Sequence, residues 1–269
     1  MNKKKLNIGF SPCPNDTFIF GNIVNNYLKH DFDFEYIIED VERLNTLATT
    51  SAIDITKMSF HAAFFLQDKY ELLSSGAALG YNCGPILISN AATSDKPIED
   101  WKVAIPGEKT TANFLLRYTF PNIRKENIIV AMFSDIENMI LDNIVDAGVI
   151  IHENRFTYEQ KGLIKIKDLG EHWQSVTNAP IPLGGIFINK NIDGEIKVQV
   201  EKLIRISILN AFQETDVLLP YIRQYAQEMD EEVMLKHIHL YVNNFSVELG
   251  EEGKRAIEIF NNIAAEMYN

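Results

Sequence analysis

With only two cysteines in 269 residues, Cys13 and Cys83, the chain cannot carry a disulfide framework, and both read as reduced, partly buried thiols. Long apolar runs are missing as well: none approaches the roughly 18 residues of a membrane-spanning helix. The opening stretch "LNIGFSPCPND" meets proline and charge before a secretory signal can build up, so the expected location is the cytoplasm. Positive charge is scarce: 25 Lys and Arg stand against 37 Asp and Glu, a formal net charge of -12, and the basic run Lys3 to Lys5 is short. Neutralising phosphates needs clustered cations, which excludes a nucleic-acid partner. No His or Cys spacing matches a metal site, and no Rossmann, P-loop or Gly-x-Ser-x-Gly pattern occurs.

What is present is a globular composition, 46% hydrophobic and 23% charged, in a chain long enough for one large domain or two of ordinary size. Strands and helices alternate. "KLNIGFS" reads as a strand, and "DTFIFGNIVNNYL" as a helix with Phe20, Ile23, Val24, Tyr27 and Leu28 on one face. "FDFEYIIED" alternates as a half-buried strand, "VERLNTLATT" has helical spacing, and "IDITKMS" is a strand entering the helix "FHAAFFLQD". "YELLSSGAALG" and "GPILIS" follow as strands, and the whole predicts a parallel-type sheet with right-handed crossovers.

After the loop "NAATSDKPIEDW" a second series begins at "KVAIPG" and ends at the return strand in "TNAPIPLGGIFINK". From Gly194 the pattern is helical, and such helices need a sheet to pack on, so they are expected to return to the first unit. The expected architecture is α/β with two lobes. Residues 1–88 plus 190–269 form a large discontinuous lobe, 89–189 an inserted smaller one, and crossing strands near 86–90 and 185–190 the hinge.

In open α/β sheets ligands bind beyond the carboxyl ends of the strands, where helix N-termini offer unpaired N–H groups. Three junctions here carry suitable residues: Ser11, Asn15, Asp16 and Thr17; Ser59; and Thr110, Thr111 and Ala112. Helix capping explains any one of them, whereas three together suggest an anion cradle. Pro12 and Pro14 would hold the first loop in one shape. His152 follows a wholly apolar strand in "DAGVIIHENRFTY", which suits either a general base at the cleft or a satisfied structural histidine. His61, in "FHAAFF", reads as structural, and His30, His172, His237 and His239 as surface or packing residues.

Taken together, "SPCPNDTFIF", "EDVERLN", "ITKMSFHAA", "KTTANFLLR" and "DAGVIIHENRFTY" resemble the 1,4-dihydroxy-6-naphthoate synthases of the futalosine route to menaquinone, from about residue 5 to 190. The resemblance implies a type II periplasmic-binding-protein fold. It also implies a cytoplasmic, cofactor-free lyase that converts cyclic dehypoxanthine futalosine to 1,4-dihydroxy-6-naphthoate and releases the sugar-derived three-carbon fragment. Carried over residue by residue, it assigns the catalytic histidine to His152 and substrate contacts to Lys57, Met58, Ser59, Thr110, Thr111, Ala112 and Asn45. Asn15 would line the wall, and Cys13 would touch substrate without acting as nucleophile. The implied partner is a small-molecule carboxylate, with no metal and no membrane, and a homodimer through the helical tail is compatible. A solute-binding protein and a ligand-sensing domain of the same fold are the alternative readings.

Overall fold

The first helices start where the sequence supplies a stop for the strand before them. The computed structural model describes residues 3–90, 96–226 and 230–268, so residues 91–95 of the expected central loop lie outside it. Strand β1 (Lys4–Phe10) runs into α1 (Pro14–Val24), which has proline at its first position and Cys13 as an extended N-cap. β2 (Phe32–Ile38) is followed by α2 (Val41–Thr49), whose N-cap Asp40 accepts from the Glu42 and Arg43 amides. β3 (Ile55–Ser59), α3 (Phe60–Phe64), β4 (Tyr70–Leu72) and β5 (Ala78–Gly80) complete the first series.

The second series is β6 (Ile86–Asn90), β7 (Val103–Ile105), α4 (Thr111–Thr119), β8 (Ile128–Val130), α5 (Ile136–Leu141) and β9 (Ala147–Ile150). A 3-10 turn over His152–Phe156 leads on to β10 (Leu163–Asp168), α6 (Leu169–Thr177) and the return strand β11 (Ile181–Asn189). The tail is α7 (Gly194–Gln213), α8 (Thr215–Arg223), α9 (Glu231–Tyr241), α10 (Asn244–Val247) and α11 (Gly250–Tyr268).

The strands form two sheets, ordered β2-β1-β3-β11-β4 with β5 also on β11, and β10-β6-β9-β7-β8. The plan is the same twice. β2-β1-β3 and β8-β7-β9 are parallel triplets, and each gains one antiparallel neighbour, β11 beside β3 and β6 beside β9. The sheets are therefore mixed, not parallel as the alternation suggests, because each lobe receives its fourth strand from the chain as it crosses over. Ile86–Asn90 pairs within the second sheet and Ile181–Asn189 within the first. The chain thus passes between the sheets at residues 81–85 and 178–180, upstream of the strands expected to cross.

Among the described residues the three larger of four apolar clusters hold this together. Phe10, Ile19, Ile186 and Ile204 belong to the layer between the first sheet and the tail helices, and Ile88, Ala104, Ile136 and Ile140 to the outer layer of the second. The third spans both lobes, joining Met58 and Phe187 to Leu87, Val103, Val149 and Trp173. Helix α11 reaches into it: Phe260 packs 4.4 Å from Phe114 and 5.8 Å from Trp173, ring centre to ring centre. The tail thus braces the second lobe as well as the first, which its helical pattern alone does not disclose.

At the first passage, Gly84 and Gly170 meet backbone to backbone; a Cβ on Gly84 would lie 2.3 Å from the Gly170 Cα. Backbone cannot swing aside as a side chain does, so Gly84→Ala should lower unfolding stability by about 2 kcal/mol in urea titration. Gly194→Ala, where a Cβ meets nothing within 4 Å, is the control and should lose nothing.

Candidate active site

In a strand order 2-1-3 the connections leave in opposite directions on either side of the gap between the first and third strands, and a crevice opens there. The molecule has two such gaps, β1/β3 and β7/β9. The segments following those four strands supply Asn15, Ser59, Thr110 to Ala112 and His152, and all of them line one cavity. Its volume is about 100 Å³. Ligand pockets usually measure roughly 300–1,000 Å³, so the lobes have to part to admit a ligand of that size.

The first-lobe wall is built on a buried ion pair, Lys57 Nζ to Asp16 Oδ1 at 3.0 Å. The Ser11 amide and hydroxyl donate to Asp16 Oδ2 at 3.1 and 2.7 Å, Asn15 Nδ2 donates to Oδ1 at 2.8 Å, and Lys57 also donates to the Gly76 carbonyl. Every charge here has partners, as burial requires. Lys57 therefore lines the cavity as a neutralised group.

Ser59 is held by Asn45, which accepts from the Ser59 amide at 2.9 Å and donates to its Oγ at 3.1 Å. That leaves the Ser59 hydroxyl hydrogen to turn toward the cavity. Asn45 itself is fully buried and absent from the cavity lining; it supports Ser59 from behind. Across the cleft, Thr110 caps α4 by accepting from the Asn113 amide. The Thr111 hydroxyl is committed to the Leu183 carbonyl at 2.7 Å, so this junction offers the first-turn amides of Thr111 and Ala112. His61 sits behind them, bonded to the Thr110 carbonyl and the Tyr268 hydroxyl, a structural position.

His152 begins the turn after β9 with φ of 60°, a left-handed backbone that a non-glycine residue adopts only under strain. Phe133 packs edge-on to its ring at 4.9 Å and His237 lies over it at 6.1 Å with 27° between planes. The imidazole keeps some surface in the cavity, yet protein encloses it on every other side. Burial pulls its pKa down to about 4, against the opposing pull of Asp16 and Asp40, and the ring is neutral at pH 7.

Folding also brings together donors that no sequence spacing signals: Cys13, His152 and Glu153 offer ligand atoms within 4.8 Å of one another. The set could bind a soft divalent ion only after Cys13 loses its proton, and burial, with Glu153 nearby, pushes that thiol well above its usual range. Cys13 is buried and is not among the residues lining the cavity.

Sequence reasoning passed over α9. His237 has no exposed surface, its Nε2 lies 2.8 Å from Asn15 Oδ1, and Tyr241 one turn on lines the cavity. The signal was there: Met234, His237, Ile238 and Tyr241 fall at i, i+3, i+4 and i+7, the buried face of an amphipathic helix.

The fold and cleft define a two-lobed protein of the periplasmic-binding-protein type. The periplasmic aliphatic sulphonate binding protein of Escherichia coli superposes with a TM-score of 0.64 over 98% of this chain and 86% of its own, at 11% identity, a likeness of fold alone. A crystal structure from Archaeoglobus fulgidus agrees far better, with a TM-score of 0.91 at 30% identity over 98% of this chain and 97% of that one. A family model described as menaquinone biosynthesis matches residues 6–266. The 1,4-dihydroxy-6-naphtoate synthase of Thermus thermophilus is 38% identical over 252 residues, 94% of this chain and 91% of the relative. The chain belongs to the menaquinone biosynthesis family, among its 1,4-dihydroxy-6-naphthoate synthases.

Lys57→Met would strand the Asp16 carboxylate without its cation and should cost about 3 kcal/mol or more in urea titration, part of it recovered by adding Asp16→Asn. A pH effect follows from His61 and His152, both lowered by burial from 6.5 to about 4. Between those values the unfolded chain binds protons that the folded chain does not, so stability should fall as pH drops from 6.5 to 4. A urea midpoint that stays flat across this window would contradict the burial of the two rings.

Proposed function

We propose that this chain converts cyclic dehypoxanthine futalosine to 1,4-dihydroxy-6-naphthoate, with His152 as the general base. The observation that carries the reading is a neutral imidazole that lines one cavity with Ser59 of the facing lobe and with the start of α4. The substrate carboxylate would accept from the Ser59 hydroxyl and the Thr111 and Ala112 amides, at the positive end of the helix. So anchored, the ring system lies between the lobes with its sugar remnant toward the second. His152 takes a proton from the substrate, the carbon–carbon bond to the remnant breaks, and aromatisation of the new ring drives the step. Lobe closure keeps water from the anionic intermediate.

This reading places the enzyme in the cytoplasm, which suits free Cys13 and Cys83 thiols. For the partner it takes a second copy of the chain, packed on the helical tail, where α7 exposes Val198, Leu209 and Phe212. Sedimentation of Val198→Lys as a monomer, with the parent a dimer, would support that contact; a monomeric parent would remove it.

The activity is tested by incubating the protein with the cyclic futalosine derivative and following naphthoate absorbance. A solute-binding protein would return the ligand unchanged. His152→Ala should lower kcat by about a hundredfold or more while calorimetry still detects ligand binding. In the parent, the acid limb of kcat/KM should centre near pH 4 and not near 6.5. A variant that turned over at the parental rate would mean that another group takes the proton.

A further inference from the structure

His237 lies behind the cleft wall, absent from the cavity surface, yet its bonds determine what that wall presents. A carboxylate paired with Lys57 can only accept, so the Asn15 atom 2.8 Å from Asp16 Oδ1 has to be the amide nitrogen. Asn15 Oδ1 therefore points the other way, to His237 Nε2 at 2.8 Å, and an amide oxygen there requires an N–H. A neutral imidazole has one N–H, which fixes the tautomer. Nδ1 is then a bare lone pair, without a hydrogen-bond partner among the described residues and 4.0 Å from a Glu153 carboxylate oxygen.

The same polarity continues into the cavity. Asn15 Nδ2 has two hydrogens, and one goes to Asp16; among the described residues the other has no acceptor, and Asn15 lines the cleft. The wall thus shows the ligand a hydrogen-bond donor and not a carbonyl. Once His152 has removed a proton, the ligand carries new negative charge, and a fixed donor facing it is worth more then than in the ground state. His237 also lies over the His152 ring, on a helix that packs against the turn bearing it.

We propose that His237 is the positioning residue of this site: its Nε2–H holds the Asn15 amide with a donor turned toward the negative charge that forms on the substrate. The role rests on His152 being the base. His237→Phe keeps the ring volume and removes the donor; it should lower kcat by about tenfold or more and change KM little. His237→Gln can place its amide nitrogen near the former Nε2 and should restore most of kcat. Asn15→Ala should lose as much as His237→Phe, and the two combined no more than Asn15→Ala alone. Losses that multiply, a Phe variant equal to the parent, or a folded Gln variant no better than Phe would each overturn the proposal. Nitrogen-15 NMR of the parent provides a test independent of turnover and of any variant's folding: protonated Nε2 and bare Nδ1 are expected at His237, and the reverse tautomer would refute it. If instead His152→Ala keeps parental activity while the NMR result stands, the base assignment has failed and the hydrogen-bond polarity has not.

Discussion

The interaction on which the site depends is the Asp16–Lys57 pair, a carboxylate and an ammonium both taken out of water. Such a pair adds little stability compared with a well-packed apolar one, but it permits few arrangements, since every lone pair and proton needs a partner in the right place. Here the partners are the functional elements themselves. Ser11 reaches Asp16 from the end of β1, Asn15 from the first turn of α1, and Lys57 from β3. The stiff Pro12–Cys13–Pro14 turn makes this feasible. It brings Asp16 back to the Ser11 amide within five residues, with Pro14 at a helix position where no N–H is wanted.

Around that anchor the two lobes contribute different things through the same strand plan. The first lobe's gap between β1 and β3 carries the fixed polar wall and Ser59, and the second lobe's gap between β7 and β9 carries helix amides and the imidazole. Ser59 thus faces helix amides and an imidazole without any long loop reaching across. The left-handed backbone at His152 turns the chain sharply at the end of β9, so that the ring comes into the cleft instead of continuing along the strand.

Much of this was legible in the sequence because it is local. The alternation of apolar periods gave the βα units, the polar residues just after each strand marked the cleft, and an apolar run ending in His152 placed a titratable group at a strand's carboxyl end. What escaped was set by contacts distant in the chain. Strand direction in β6 and β11 depends on which sheet each joins, which no local pattern encodes. The resemblance assigned Asn45 a substrate contact, and what its motif does not convey is that the buried amide bonds the Ser59 backbone 14 residues on. His237 lies 222 residues from Asn15, and although the buried face of α9 can be read from periodicity, the surface it meets cannot.

The apolar layer shared by both lobes separates this molecule in behaviour from the transport receptors whose outline it has. A receptor must let go of an intact cargo, so its halves are best left nearly indifferent to touching. Here Met58 and Phe187 of one half share a single apolar cluster with Leu87 and Trp173 of the other, so drawing the halves apart costs apolar contact. Entry and exit then wait on rare excursions, and when the chemistry is quick it is the doorway that sets the pace of turnover.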